Sequence, residues 1–193
     1  MSANRRMTGA RRQFLNPIEL LEYTRFVAGE VLTGWYPEVE YDEDERWHQR
    51  LSRDQRVDLW LISWLPTQGT QLHDHGGSAG AFTVLSGELA EVIHQPRRVP
   101  GRRPVARGPR DGPALVERLR VTGAGVGFGP HYVHDVRNVS SAPAVSVHAY
   151  SPPLTAMNFY DLDQAGVLQK LASVRTEDPE MSVSFDDQGN PAA

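Results

Sequence analysis

Between Val57 and Tyr150 the chain is cut into short runs rich in β-branched and aromatic residues, and this punctuation constrains the fold more than any other feature. The runs are VDLWLISWL (57–65), AGAFTVLSG (79–87), ELAEVIH (88–94), ALVERLRV (114–121), GVGFG (125–129), YVHDVRNV (132–139) and PAVSVHAY (143–150). Such residues suit a pleated surface, and the glycines and prolines between them mark turns. The first run is apolar on both faces, as a strand covered on both sides must be. Helix signals lie only towards the ends. Asn16 can cap, Pro17 suits the first helical position, Glu19 favours the first turn and Gly34 can close the helix. A last helix is expected from near Asp163 through QAGVLQKLASV. Closely spaced short strands, with helices at the N-terminal side and one near the C-terminus, predict an all-β-dominated fold built on a small closed or nearly closed barrel.

A chain of 193 residues fits one domain with tails. Residues 1–15 read as a disordered basic arm, 16–175 as the single domain and 176–193 as a mobile acidic tail. Within the domain, residues 95–113 hold six arginines, five prolines and one acidic residue without apolar periodicity. That composition predicts a long exposed loop. Regularly interleaved aromatics are missing from it, so no nucleic-acid partner is expected. The net charge of −4 is mild, and no apolar run approaches the ~20 residues of a membrane span. The basic N-terminus lacks the apolar core of a secretion signal, so a soluble cytoplasmic protein is the expectation. With no cysteine, disulfides, thiolate ligands and a cysteine nucleophile are all excluded.

Chemistry concentrates on histidine. His73 and His75 flank Asp74, and side chains two apart on a strand share a face, so two imidazoles converge while Asp74 points away. His131 and His134 follow a glycine-rich turn, whereas His48 and His94 have no nearby liganding partner in sequence. In PAVSVHAY, Val145, Val147 and Ala149 form an apolar face and Ser146, His148 and Tyr150 a polar one. Three hydrogen-bonding side chains in one row are costly to bury unless they satisfy each other or a ligand.

The pattern HDH…G followed by HDVRN resembles the two-motif signature of the cupin superfamily. The first motif has the form G-x5-H-x-H-x(3,4)-E-x6-G, and His73, His75 and Gly87 fall into it. Gly80 stands where the motif has glutamate, and Thr67 stands for its opening glycine. The second motif ends H-x3-N, matched by His134 and Asn138. LHDHGGSAGAF, H-x-V-x-N-V-S and AVSVHAYSPP together resemble the cysteine dioxygenase family, a thiol-oxidising branch of the cupins, over roughly residues 47–160. The resemblance implies a double-stranded β-helix, or jelly roll, and an Fe(2+) site held by His73, His75 and His134. Animal members carry a cysteine near position 80, cross-linked to the tyrosine that Tyr150 matches. This chain has no cysteine, so it resembles the bacterial branch with an uncross-linked tyrosine.

Three neutral imidazoles leave a metal's full double charge to attract a thiolate, and the positions they leave open can take substrate. The same set would hold zinc; iron comes from the resemblance alone. The resemblance further implies oxidation of L-cysteine by O2 to the sulfinate, with Tyr150 bonding to the reacting groups, His148 orienting Tyr150, and Ser146 fixing His148. Arg50 is the expected carboxylate clamp, since guanidinium grips carboxylate at two points, and Trp64 the other substrate-binding residue. The alignment that selects Arg50 needs a short deletion; an ungapped one puts Trp47 there. Ser151-Pro152 resembles the family's cis bond beside the tyrosine. The partners expected are a small thiol and O2, with neither membrane nor nucleic acid, and the chain is expected to be a monomer. Two other readings stand beside this one. The same site could act on 3-mercaptopropionate or mercaptosuccinate, or the protein could be a metal-binding cupin without turnover.

Overall fold

A computed structural model describes residues 14–34, 38–95, 115–164, 166–176 and 178–179. Except for a few flanking residues, the expected basic arm, arginine-rich loop and acidic tail lie outside these. Among the described residues one helix, α1 (Pro17–Leu32), is followed by eleven strands: β1 (His48–Arg53), β2 (Asp58–Trp64), β3 (His73–Asp74), β4 (Ala79–Ser86), β5 (Glu88–His94), β6 (Leu115–Val121), β7 (Gly125–Phe128), β8 (His134–Arg137), β9 (Ala144–Ser151), β10 (Ala156–Leu162) and β11 (Leu168–Arg175). They form two sheets, ordered β1-β2-β9-β4-β7 and β11-β10-β3-β8-β5-β6, and every pairing of named strands is antiparallel. The all-β architecture read from the sequence is present.

One apolar cluster lies between the sheets. Trp60, Ile62, Trp64, Phe82 and Tyr150 of the first sheet meet Leu89, Val136, Met157 and Phe159 of the second. A second cluster covers the outer face of the first sheet, where Leu59, Leu61, Ala81, Val145, Val147 and Ala149 pack with Leu20, Val27 and Ala28 of α1. Covered on both faces, β2 and β9 are buried at every position, which explains their apolar sequences. The helix begins as its sequence dictates. The Asn16 side chain accepts from the Ile18 and Glu19 amides, and Glu19 accepts from the Asn16 amide, closing a capping box. Its close approach needs glycine: a Cβ on Gly127 would lie 2.2 Å from the Pro17 carbonyl oxygen.

Gly87 links β4 to β5, which belong to different sheets. Gly87, at φ +75°, passes so close to Ala144 that a Cβ would sit 2.8 Å from its Cα. The helix expected from Asp163 onward is not there. Residues 168–175 are β11, paired with β10 from Leu162↔Leu168 to Ala156↔Arg175. Asp163 serves a turn rather than a helix cap: its backbone N–H donates to the Val167 carbonyl, its carboxylate accepts from the Val167 amide, and Gly166 sits at φ +74°. The hairpin ladder overrides the helix-like spacing of Val167, Leu171 and Val174. Among the described residues no helix is long and apolar enough to cross a membrane.

Candidate metal centre

Short strand β3 lies between β8 and β10 and sets His73 directly opposite His134. His75 follows two residues on. Ring centroids are 4.9 Å apart for His73–His75, 4.8 Å for His73–His134 and 5.3 Å for His75–His134. One nitrogen from each ring lies within 4.8 Å of the others, and all three side chains are buried. Asp74 points to the other side of β3, where it accepts from Asn158 Nδ2 at 2.6 Å, Tyr160 Oη at 2.6 Å and the Gly76 amide at 2.9 Å. These bonds fasten the segment between the two histidines to β10.

Two of the rings have their tautomers set by acceptors. His73 Nδ1–H donates to the Gln71 carbonyl at 2.7 Å. His134 Nδ1–H donates to Glu91 Oε1 at 3.0 Å. Nε2 of His134 is buried and has no hydrogen-bond partner in the described structure. Buried polar atoms are rarely left so. A buried lone pair facing two more imidazoles fits a metal ion, and the donor set of three histidines suits zinc or iron(II).

Glu91 was not legible as a functional residue, although it shares a strand face with Leu89 and Ile93, and an acid in an apolar row is a signal of its own. It is fully buried on β5 and bound at both oxygens. Tyr132 Oη donates to Oε1 at 3.0 Å, and Arg120 donates to Oε2 through Nε at 2.8 Å and a terminal nitrogen at 2.5 Å. Burial opposes the charge on Glu91, but His134 and Arg120 outweigh it and hold the carboxyl below its ordinary range. The same burial, with the Glu91 charge, pushes the Tyr132 phenol upward.

The polar row on β9 faces between the sheets. Trp64 Nε1–H donates to Ser146 Oγ at 2.9 Å, Ser146 Oγ lies 2.8 Å from His148 Nε2, and His148 Nδ1 lies 3.3 Å from Tyr150 Oη. All four residues are fully buried. The indole can only donate, so Ser146 Oγ accepts from Trp64, and its hydroxyl proton and second lone pair serve the contact with His148 Nε2. The Tyr150 ring lies 4.8 Å from the His75 ring. The row therefore runs from Trp64 to the edge of the histidine cluster, with Trp64 at its far end.

Gly80 lies across from both Tyr150 and Phe128 in the sheet. A Cβ there would be 2.4 Å from Phe128 Cε2 and 3.1 Å from Tyr150 Cδ1. Phe128, which stacks on His75 with centroids 5.0 Å apart, fills the space of the absent side chain. No glutamate or cysteine could stand at position 80 without displacing that ring.

Arg50 pairs with Trp60 across β1 and β2, and its guanidinium lies 4.5 Å from the Trp60 ring centroid. Asp58, fully buried and opposite Tyr150, is 3.4 Å from Arg50 Nε and 3.3 Å from Arg53. His48 packs edge-on against Trp60 and lies 3.9 Å from Asp178. Neither His48 nor His94 joins the three-histidine cluster. The Ser151–Pro152 peptide is cis.

Comparison with known proteins places these features. Cysteine dioxygenase type 1 of Danio rerio is 26% identical over 106 residues, and the match covers 55% of this chain and 50% of that protein. The chain thus spans about half the length of this relative. TT1209 from Thermus thermophilus is 21% identical, with a TM-score of 0.46, over 59% of this chain and 90% of that one. A conserved protein with a double-stranded β-helix domain from Klebsiella pneumoniae is 19% identical, with a TM-score of 0.44, over 59% and 83%. Residues 30–163 match the family model Cysteine dioxygenase type I, and the chain belongs to that family.

Proposed function

We propose that this protein is an iron(II)-dependent thiol dioxygenase that oxidises L-cysteine to cysteine sulfinate, adding both atoms of O2 to sulfur. The observation that carries the reading is the buried three-histidine cluster with a tyrosine hydroxyl relay ending beside it. His73, His75 and His134 are the proposed ligands. Iron(II), when bound, supplies the one-electron chemistry that lets dioxygen react with a thiolate.

The chain's own residues position the reactants. Three uncharged ligands leave the metal's charge to favour thiolate over thiol, and an ion at such a site lowers the pKa of what it binds. His148 Nδ1, 3.3 Å from Tyr150 Oη, orients the Tyr150 hydroxyl, which is the proposed hydrogen-bonding group for the reacting groups or the substrate carboxylate. Ser146 and Trp64 hold the His148 ring in place. Arg50 is the proposed carboxylate clamp. It is opposite Trp60, which in turn is opposite His148, so the guanidinium is carried on the same cross-strand row as the relay. Tyr150, Phe128 and the two sheets shield the site from bulk water, which strengthens these polar contacts.

Oxygen uptake by the iron-loaded protein, offered L-cysteine, 3-mercaptopropionate and mercaptosuccinate in turn, tests the proposal. The expected result is uptake with cysteine, matched one-for-one by sulfinate. Uptake with another thiol acid only would keep the reaction and replace the substrate. No uptake with any thiol would favour a metal-binding cupin without turnover.

A further inference from the structure

The third histidine of the cluster is held differently from the first. His73 donates to a neutral backbone carbonyl, whereas His134 donates to a buried carboxylate. That carboxylate comes from another strand and is itself gripped by Arg120 and Tyr132. We propose that Glu91 is the positioning residue of the metal centre, fixing the proton of His134 on Nδ1 so that Nε2 is presented to the ion. This rests on the reading that the three histidines bind a metal.

Hydrogen-bond capacity decides the tautomer. An ionised carboxylate only accepts, so the nitrogen facing it must carry the proton of a neutral imidazole. The other nitrogen is then the lone pair, and in His134 that atom is buried with no hydrogen-bond partner in the described structure. Both oxygens of Glu91 are occupied by donors, so nothing in the cluster offers His134 an alternative orientation. A carboxylate bound to the far side of an imidazole also makes it a stronger donor to a metal. With Gly80 and Phe128 excluding a carboxylate from position 80, acidic influence reaches the site through His134, one hydrogen bond away.

Glu91→Gln tests this because an amide reverses one contact. Arg120 brings two donors to Oε2, so the amide oxygen must turn to Arg120 and the NH2 to His134. A donor facing Nδ1 drives the imidazole proton to Nε2 and closes that atom to metal. Two readouts follow: the protonated nitrogen of His134 from 15N-histidine spectra of the metal-free protein, and cobalt(II) affinity by chelator competition. In the unaltered protein Nδ1 should be protonated. E91Q should move the proton to Nε2 and weaken cobalt(II) binding by about tenfold to a hundredfold. Tyr132→Phe, which keeps the carboxylate on Nδ1, should preserve the tautomer and lose less cobalt(II) affinity than E91Q. A bare Nδ1 in the unaltered protein would overturn the proposal, even if E91Q does not fold. Unchanged affinity in a folded E91Q would overturn it equally. Neither readout depends on turnover, so the proposal can fail while the dioxygenase reading stands. Failure of the unaltered protein to bind cobalt(II) would instead remove the metal reading beneath both.

Discussion

Gly80 and Phe128 belong together, because the ring occupies the volume that a side chain at position 80 would need. A Cβ only 2.4 Å from Phe128 Cε2 is far inside contact distance, and the opposing neighbour is a rigid ring stacked on His75. Gly80→Ala is therefore expected to destabilise the protein by about 1–3 kcal/mol, the cost of overpacking a filled core. Adding Phe128→Leu should return part of that loss, and thermal unfolding of the two single variants and the double variant measures the coupling. A neutral Gly80→Ala would show that the ring is not fixed where it is described. Tyr150→Phe isolates the hydroxyl at the end of the relay. If that hydroxyl bonds to charged reacting groups, its removal should cost about 1.5–3 kcal/mol, roughly 10- to 150-fold in turnover. Bound metal, measured on the same sample, should stay unchanged. Full activity would remove the role assigned to Tyr150.

The turn before the histidine strand carries a departure whose meaning is conformational. Leu65, Pro66, Thr67 and Gln68 form a turn closed by the Gln68 amide on the Leu65 carbonyl, and Thr67 sits at φ +76°. Proline followed by a residue at positive φ is the pattern of a type II turn, which glycine fits and a β-branched residue does not. The threonine that replaces the motif's glycine thus keeps a backbone shaped for glycine. Thr67→Gly is expected to stabilise by about 1 kcal/mol, the cost of a left-handed conformation for a residue with a side chain. Unfolding in urea would register this as a higher midpoint with an unchanged slope; a lower midpoint would contradict it. Elements like this also show where the sequence was readable. The strands β2 and β4 to β9 were legible because β-branched and aromatic runs lie between turn residues, whereas β1 and β10 fall outside those runs. His73 and His75 were legible because a spacing of two keeps both on one face. Residues 168–175 were not, since Val167, Leu171 and Val174 repeat at helical intervals and only pairing with β10 decides the matter. Glu91 and Phe128 were illegible for the same reason at the site. What they do is set by strands β8 and β4, far from them in sequence.

As a whole, the molecule divides its labour between two sheets. The first is covered outside by α1 and carries Tyr150, His148 and Ser146 inward; the second carries His73, His134 and Glu91. A metal held by the three histidines would bind the native state alone and so stabilise it. Iron(II) at a hundred times its Kd should add about 2.7 kcal/mol. For a domain of this size that is a rise in Tm of roughly 5–11 °C. Calorimetry of the metal-free and loaded protein should show the rise, and His134→Ala should abolish it; an equal rise in that variant would place the ion elsewhere. The central claim concerns where the oxygen goes. The most direct test is turnover of L-cysteine by the iron-loaded protein under 18O2, with mass spectrometry of the sulfinate. Both sulfinate oxygens of the product should carry the label. A product carrying one labelled oxygen, or none, would contradict the dioxygenase reading.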